Sequence, residues 1–137
     1  MEFGDTRLTL LVRPNDLDPL GHVNNAVAVE YLEAGRWHWL GQHGLVPGDR
    51  VVSVVARCEL DYRAEIGRGE VEVHTDLTSP DQYDEDGLTY RARFRQRIAQ
   101  GAVTAVDALV TVAFLDSHQR CLVTLQDYVE ASTPGKG

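Results

Sequence analysis

Apolar and polar residues follow two periods along this chain, and the change of period marks its elements. Arg7 to Arg13 reads Arg-Leu-Thr-Leu-Leu-Val-Arg, rich in strand formers and bounded by Pro14, which predicts a first strand. From about Asn25 to about Gly41 the spacing becomes helical. Glu30, Glu33 and Arg36 fall on one narrow stripe, and Val27, Val29, Tyr31, Leu32, Ala34, Trp37, Trp39 and Leu40 cover most of the rest. So wide an apolar arc predicts a helix buried on most sides, which needs a curved sheet to wrap it. Gly41, Gly44, Pro47 and Gly48 then break the chain.

Beyond Val51 the period is two. Val52, Val54, Ala56, Cys58, Leu60 and Tyr62 point one way, and Ser53, Arg57, Glu59, Asp61 and Arg63 the other. Gly67-Arg68-Gly69 is a turn. The next strand sets Val71, Val73 and Leu77 inward against Glu70, Glu72, His74 and Asp76 outward, and the acidic run Ser79 to Gly87 reads as a solvated hairpin loop. Tyr90, Ala92, Phe94 and Ile98 then face inward, with Arg91, Arg93, Arg95 and Arg97 outward. A turn near Gly101 leads to the most apolar strand, Val103 to Leu115, expected at the sheet centre. Thr124 to Ala131 reads as a closing helix or a strand extension, and residues 132–137 as a frayed tail. One strand, one long helix and four strands joined by short turns make a single α+β domain over residues 1–137: a curved antiparallel sheet against one helix.

Composition narrows the function classes. The chain has 137 residues, 43% hydrophobic and 25% charged, with a net charge of −8. That balance argues against nucleic acid and anionic membranes as partners. No long apolar run and no signal-like start is present, so a cytoplasmic protein is expected. Cys58 and Cys121 form no metal-like pair and read as buried free thiols. Asp16, Asp18 and His22 lack a second group of ligands, so neither a metal nor a cofactor is expected.

The candidate chemistry lies in residues 16–25, Asp-Leu-Asp-Pro-Leu-Gly-His-Val-Asn-Asn. Pro19 keeps Asp18 in extended or turn backbone, and Asn24 or Asn25 can cap the helix that follows. Free N–H groups at a helix start favour negative charge, so a carboxylate beside them suits attack on, or hydration of, a carbonyl whose oxygen becomes anionic. The same residues also read as an ordinary turn and cap. His22 can orient a carbonyl oxygen or a water, or bond the loop backbone. The arginine ladder on alternate positions can pair across the hairpin with Asp76, His74, Glu72 and Glu70 for Arg91, Arg93, Arg95 and Arg97, or hold phosphates; Arg57, Arg63 and Arg68 are equally open to that role.

The run Asp16-x-Asp18-x-x-Gly21-His22-Val23-Asn24-Asn25, with Tyr31-Leu32-Glu33-Ala34 further along, resembles the hotdog-fold thioesterases, in particular the 4-hydroxybenzoyl-CoA thioesterase-like and acyl-ACP thioesterase-like groups. The likeness covers most of the chain in outline, and its specific motif lies within residues 13–36. It implies a hotdog fold, in which the sheet wraps one long central helix. It places the catalytic carboxylate on Asp18 and the thioester-oxygen donors at Asn24 and Asn25, with His22 beside them. Glu33 is the rival carboxylate, since some hotdog enzymes use a helix Glu. The implied substrate is an acyl-CoA or acyl-carrier-protein thioester, and the implied assembly a homodimer, with tetramers also common in the family. Relatives often carry an aromatic residue where this chain has Ala28, which implies a wider pocket for a bulky or long acyl group. The chain lacks the Asn/His/Cys set of larger acyl-ACP thioesterases and the His-x-Pro-Gly segment of hotdog dehydratases. The remaining rival is a module that binds acyl-CoA without turnover.

Overall fold

A computed structural model describes residues 3–78 and 90–133. The elements run β1 (Thr6–Leu11), α1 (Asn25–Gln42), β2 (Val51–Tyr62), β3 (Glu70–Leu77), β4 (Arg91–Gln100), β5 (Val103–Asp116), β6 (Cys121–Val123) and α2 (Leu125–Ser132). The strands form one antiparallel sheet in the order β1-β3-β4-β5-β2, with β6 pairing β5. β4 is the middle strand; β5, expected at the sheet centre, lies between β4 and the edge strand β2, its apolar run matching an interior strand paired on both sides, and α1 lies on the inner face of the sheet. This is the hotdog arrangement. The loop expected at Ser79 to Gly87 lies outside the described residues.

α1 packs through Ala28, Tyr31, Leu32, Gly35, Trp39 and Leu40. Gly35 permits the approach. A Cβ there would stand 2.6 Å from Val73 Cγ1 and 2.9 Å from Thr75 Oγ1, so any larger residue would push the helix off β3. The helix is less buried than its composition suggests: Val29 and Trp37 face solvent, Trp37 at 56% exposure. Burial on most sides was expected, but the inner sheet face covers only one side of the cylinder. Two apolar residues therefore remain uncovered in the single chain.

β2 departs from uniform alternation. Its register against β5 slips between Val55 and Arg57, so two residues of β2 oppose one of β5 at Ala56. After the slip Cys58, Leu60 and Tyr62 pair with Val110, Ala108 and Val106 on the core row; before it, Ser53 and Val55 take that row and Val54 turns outward. The bulge exchanges the faces. Both cysteines are exposed rather than buried, because Cys58 lies on this edge strand and Cys121 opens β6 beside a tight turn.

The β3–β4 pairing also differs from the regular-hairpin expectation. Arg95 opposes Asp76 and Arg97 opposes His74, whereas Arg91 and Arg93 lie beyond the paired part of β3. This register sets Val73 opposite Ile98 and Thr75 opposite Gln96, filling the inner row. Core packing fixes it, and the arginines follow. At the far end, Thr124 and Asp127 form a reciprocal capping box that starts α2. Ser132 was expected to fray but is 1% exposed, and its carbonyl accepts the Val46 N–H at 2.6 Å. Residues 134–137 lie outside the described part.

Candidate active site

The loop between β1 and α1 is built on Asp16. Pro14–Asp16 form one 3₁₀ turn, which buries the Asp16 carboxylate at 2% exposure. Oδ2 accepts the Arg13 N–H at 3.0 Å and the Tyr31 hydroxyl at 2.7 Å, while the Arg13 guanidinium reaches Oδ1 at 3.0 Å. The Asp16 carbonyl accepts the Asn24 N–H at 2.9 Å. One residue thus ties the start of the loop to its end and to the second turn of α1. The Arg13 guanidinium, above all, holds the Asp16 carboxyl below the usual carboxylate value, with Tyr31 and the Arg13 N–H acting the same way against the cost of burial. Burial, and then the bond to Asp16, pushes the Tyr31 phenol well above its ordinary value.

Asp18 sits two residues on in a tight ring. Its N–H donates to the His22 carbonyl at 2.7 Å, and its carbonyl accepts the Gly21 N–H at 3.0 Å. Gly21 makes the turn at φ +81°, a left-handed conformation that suits a residue without Cβ. The carboxylate is fixed by one oxygen: Oδ1 accepts the Leu20 N–H at 2.9 Å and the His22 N–H at 3.0 Å. Oδ2 has no hydrogen-bond partner among the described residues. The His22 ring reaches across to Glu65, Nε2 to Oε2 at 3.0 Å.

α1 begins immediately beyond. The Asn24 side chain accepts the Ala26 N–H at 2.9 Å and caps the helix, and its own N–H is taken by Asp16. The Asn25 N–H finds no acceptor among the described residues, while the Asn25 carbonyl accepts the Tyr62 hydroxyl at 2.9 Å. Asp18, His22, Asn25, Ala28, Tyr62 and Glu65 line one pocket of about 320 Å³. The sequence expectation gathered Asp18, His22, Asn24 and Asn25; Asp18, His22 and Asn25 line the pocket, while Asn24 does not and serves as the helix cap. It missed Tyr31, Tyr62 and Glu65, which reach this region through long-range contacts, and it weighed Asp16 as part of the motif and as a metal ligand but not as the residue that holds the loop.

A second cavity of about 340 Å³ opens at the other half of α1, between that helix, the start of β2 and α2. Its wall is mostly apolar and includes Trp39, Phe94 and Phe114, with Arg36 and Glu33 among its few charged groups. Glu33 is exposed and accepts the Trp37 indole N–H at 3.4 Å. The rival carboxylate thus lines a different cavity of the chain from Asp18. Among the arginines with a possible phosphate role, Arg63 lines the Asp18 pocket and pairs with Asp107, and Arg57 pairs with Glu59 at 2.9 Å.

Fold and site together define a hotdog domain with a carboxylate beside a helix start. A family model described as the thioesterase-like superfamily matches residues 12–132, and the chain belongs to that superfamily. No curated relative matches the chain. Among solved structures, the chain is similar to a probable thioesterase from Bartonella henselae, at 20% identity and a TM-score of 0.73 over 88% of this chain and 97% of that one. It is also similar to a 1,4-dihydroxy-2-naphthoyl-CoA thioesterase from Synechocystis, at 14% identity and a TM-score of 0.78 over 94% and 95%. A DHNA-CoA thioesterase from Staphylococcus aureus matches at 15% identity and a TM-score of 0.77 over 93% and 87%. At these identities the solved structures bear on the fold alone.

Proposed function

We propose that this protein hydrolyses acyl-CoA thioesters with Asp18 as its catalytic carboxylate. The observation that carries the reading is the half-used carboxylate: Oδ1 is anchored by two backbone N–H groups, Oδ2 has no hydrogen-bond partner among the described residues, and Asp18 and Asn25 line the same pocket. In the proposed reaction the thioester oxygen sits against the Asn25 N–H at the positive end of α1. Asp18 either attacks the carbonyl carbon, giving an anhydride that water then opens, or takes a proton from a water that attacks instead. On either route the C–S bond breaks and the thiolate leaves and is protonated, yielding a carboxylic acid and free coenzyme A. A preorganised donor at the oxyanion contributes roughly 3 kcal/mol of transition-state stabilisation. Asn24 acts through the backbone, by capping the helix that presents the Asn25 donor. His22, anchored by Glu65, lines the same pocket and orients the reacting carbonyl or water.

The same reading includes a homodimer. β2 is a twelve-residue edge strand, Val55 and Tyr62 on it are 49% and 48% exposed, and the uncovered Val29 and Trp37 lie on α1. A long apolar edge of this kind calls for a partner. Antiparallel pairing of β2 with its own copy about a two-fold axis would supply one. From Val55, on the rim of the apolar cavity, to Tyr62, on the rim of the Asp18 pocket, β2 rises roughly 23 Å at about 3.3 Å per residue. Antiparallel pairing about the strand's middle would bring each cavity to the other chain's Asp18. The acyl group would then lodge in the partner's cavity.

The test is thiol release from a panel of acyl-CoAs and acyl-carrier-protein thioesters by the purified chain. Turnover of acyl-CoAs is expected. Binding without turnover of any thioester would replace hydrolysis with the acyl-CoA-binding module.

A further inference from the structure

The apolar cavity has polar groups on its wall that the described residues do not satisfy. Arg36 is half-buried, and its Nη1 donates to Gln96 Oε1 at 3.0 Å. A guanidinium carries five N–H donors, and its remaining donors find no acceptor among the described residues. Gln96 is 1% exposed and held in place, its Nε2 donating to the Leu32 carbonyl and to Thr75 Oγ1, both at 2.9 Å. Glu33, one helical turn away, makes no ion pair with Arg36 and is engaged by Trp37. Burial pushes the guanidinium below its usual value, and the nearby Cys58 and Glu33 only oppose that effect. A second group stands on the same wall. Tyr128 is 3% exposed and lines the cavity, and its sealed hydroxyl has no hydrogen-bond partner among the described residues. An apolar cavity with an under-compensated cation on its wall is matched by a ligand with an apolar body and an anionic oxygen.

We infer that Arg36 makes this cavity selective for acyl groups that end in a carboxylate. The inference rests on the thioesterase reading, because the acyl chain is placed in the cavity as part of the substrate. Arg36 is then a specificity-determining residue. Its free N–H pair would meet the carboxylate side by side, a geometry that a lysine reproduces only as a point charge.

The experiment compares chain-matched suberoyl-CoA and octanoyl-CoA, which differ in the terminal carboxylate, on wild type and on Arg36→Gln and Arg36→Lys. In wild type kcat/KM favours suberoyl-CoA. Arg36→Gln lowers kcat/KM for suberoyl-CoA by about tenfold or more, mainly through KM, and leaves octanoyl-CoA within about threefold. Arg36→Lys recovers part of the loss. Equal losses on both substrates, or none on either, would overturn the inference. Calorimetric binding of the two thioesters to Asp18→Asn, with and without Arg36→Gln, separates this claim from hydrolysis itself. Tighter binding of suberoyl-CoA that is lost with Arg36→Gln sustains the selectivity even without turnover. Absence of any preference, or of binding, refutes it.

Discussion

Asp16 and Asp18 stand two residues apart in one turn, yet their surroundings assign them opposite work. Every bond Asp16 makes closes on the protein: Arg13 on both oxygens, Tyr31 from α1, and a carbonyl that holds Asn24. Asp18 lines a pocket, spends one oxygen on its own loop and leaves the other without a partner among the described residues. Residue type and spacing are the same in kind. On the proposed reading, what separates the structural carboxylate from the reactive one is bonding capacity left over, and in this loop the deciding partner is Tyr31, which lies fifteen positions beyond Asp16.

The largest effect is expected at Asp18. Asp18→Asn keeps an Oδ1 acceptor for the Leu20 and His22 N–H groups, so the loop should survive while turnover falls about 10²- to 10⁴-fold. Thiol release under substrate saturation measures it, with a melting curve as the structural control. Asp16→Asn comes next and should act in reverse. It removes the charge that Arg13 and Tyr31 meet and sets amide hydrogens against donors, costing roughly 2 kcal/mol of stability by urea unfolding.

The pH dependence has a definite sign. The folded pKa of Asp16 lies below 3.8, so its contribution is fully present above that pH. It is lost as the pH falls from there through the folded value. Unfolding free energy measured along that acid limb should fall less steeply in Asp16→Asn than in wild type. Equal slopes would mean that Asp16 is no more stabilised in the folded state than in the unfolded one.

Asn24→Ala removes the cap on Ala26 and should cost about 1 kcal/mol of stability. Activity should fall with it, because a frayed first turn no longer presents the Asn25 N–H. A stable but inactive Asn24→Ala would give the Asn24 side chain a direct role instead. Tyr128→Phe should be the smallest change. Its hydroxyl has no partner among the described residues to lose, so stability should stay within about 0.5 kcal/mol of wild type or rise slightly. A clear loss would reveal a bond to that hydroxyl.

The parts legible in the sequence were those with local physical causes. The helical period of residues 25–41, the alternation from Val71 onward, the Gly21 turn and the Asn cap all depend on neighbours a few positions away. The parts that were not legible depend on distant partners. The bulge at Ala56 exchanges the faces of β2 because β5 dictates the pairing on either side of it. The arginine register follows from Val73 meeting Ile98 and Thr75 meeting Gln96, which a count of hairpin residues does not contain. Gln96 falls in the inward phase between Phe94 and Ile98, and nothing near it in the chain names the Leu32 carbonyl and Arg36 that bond it. The apolar cavity draws its wall from α1, β2, β4, β5 and α2 at once, so no stretch of sequence carries its shape.

The most direct test of the account is a paired measurement of turnover and melting temperature on Asp18→Asn and Asp16→Asn. The account predicts that Asp18→Asn melts with wild type and loses hydrolysis, while Asp16→Asn melts lower and, below its transition, still hydrolyses thioester. Wild-type turnover in Asp18→Asn would contradict it.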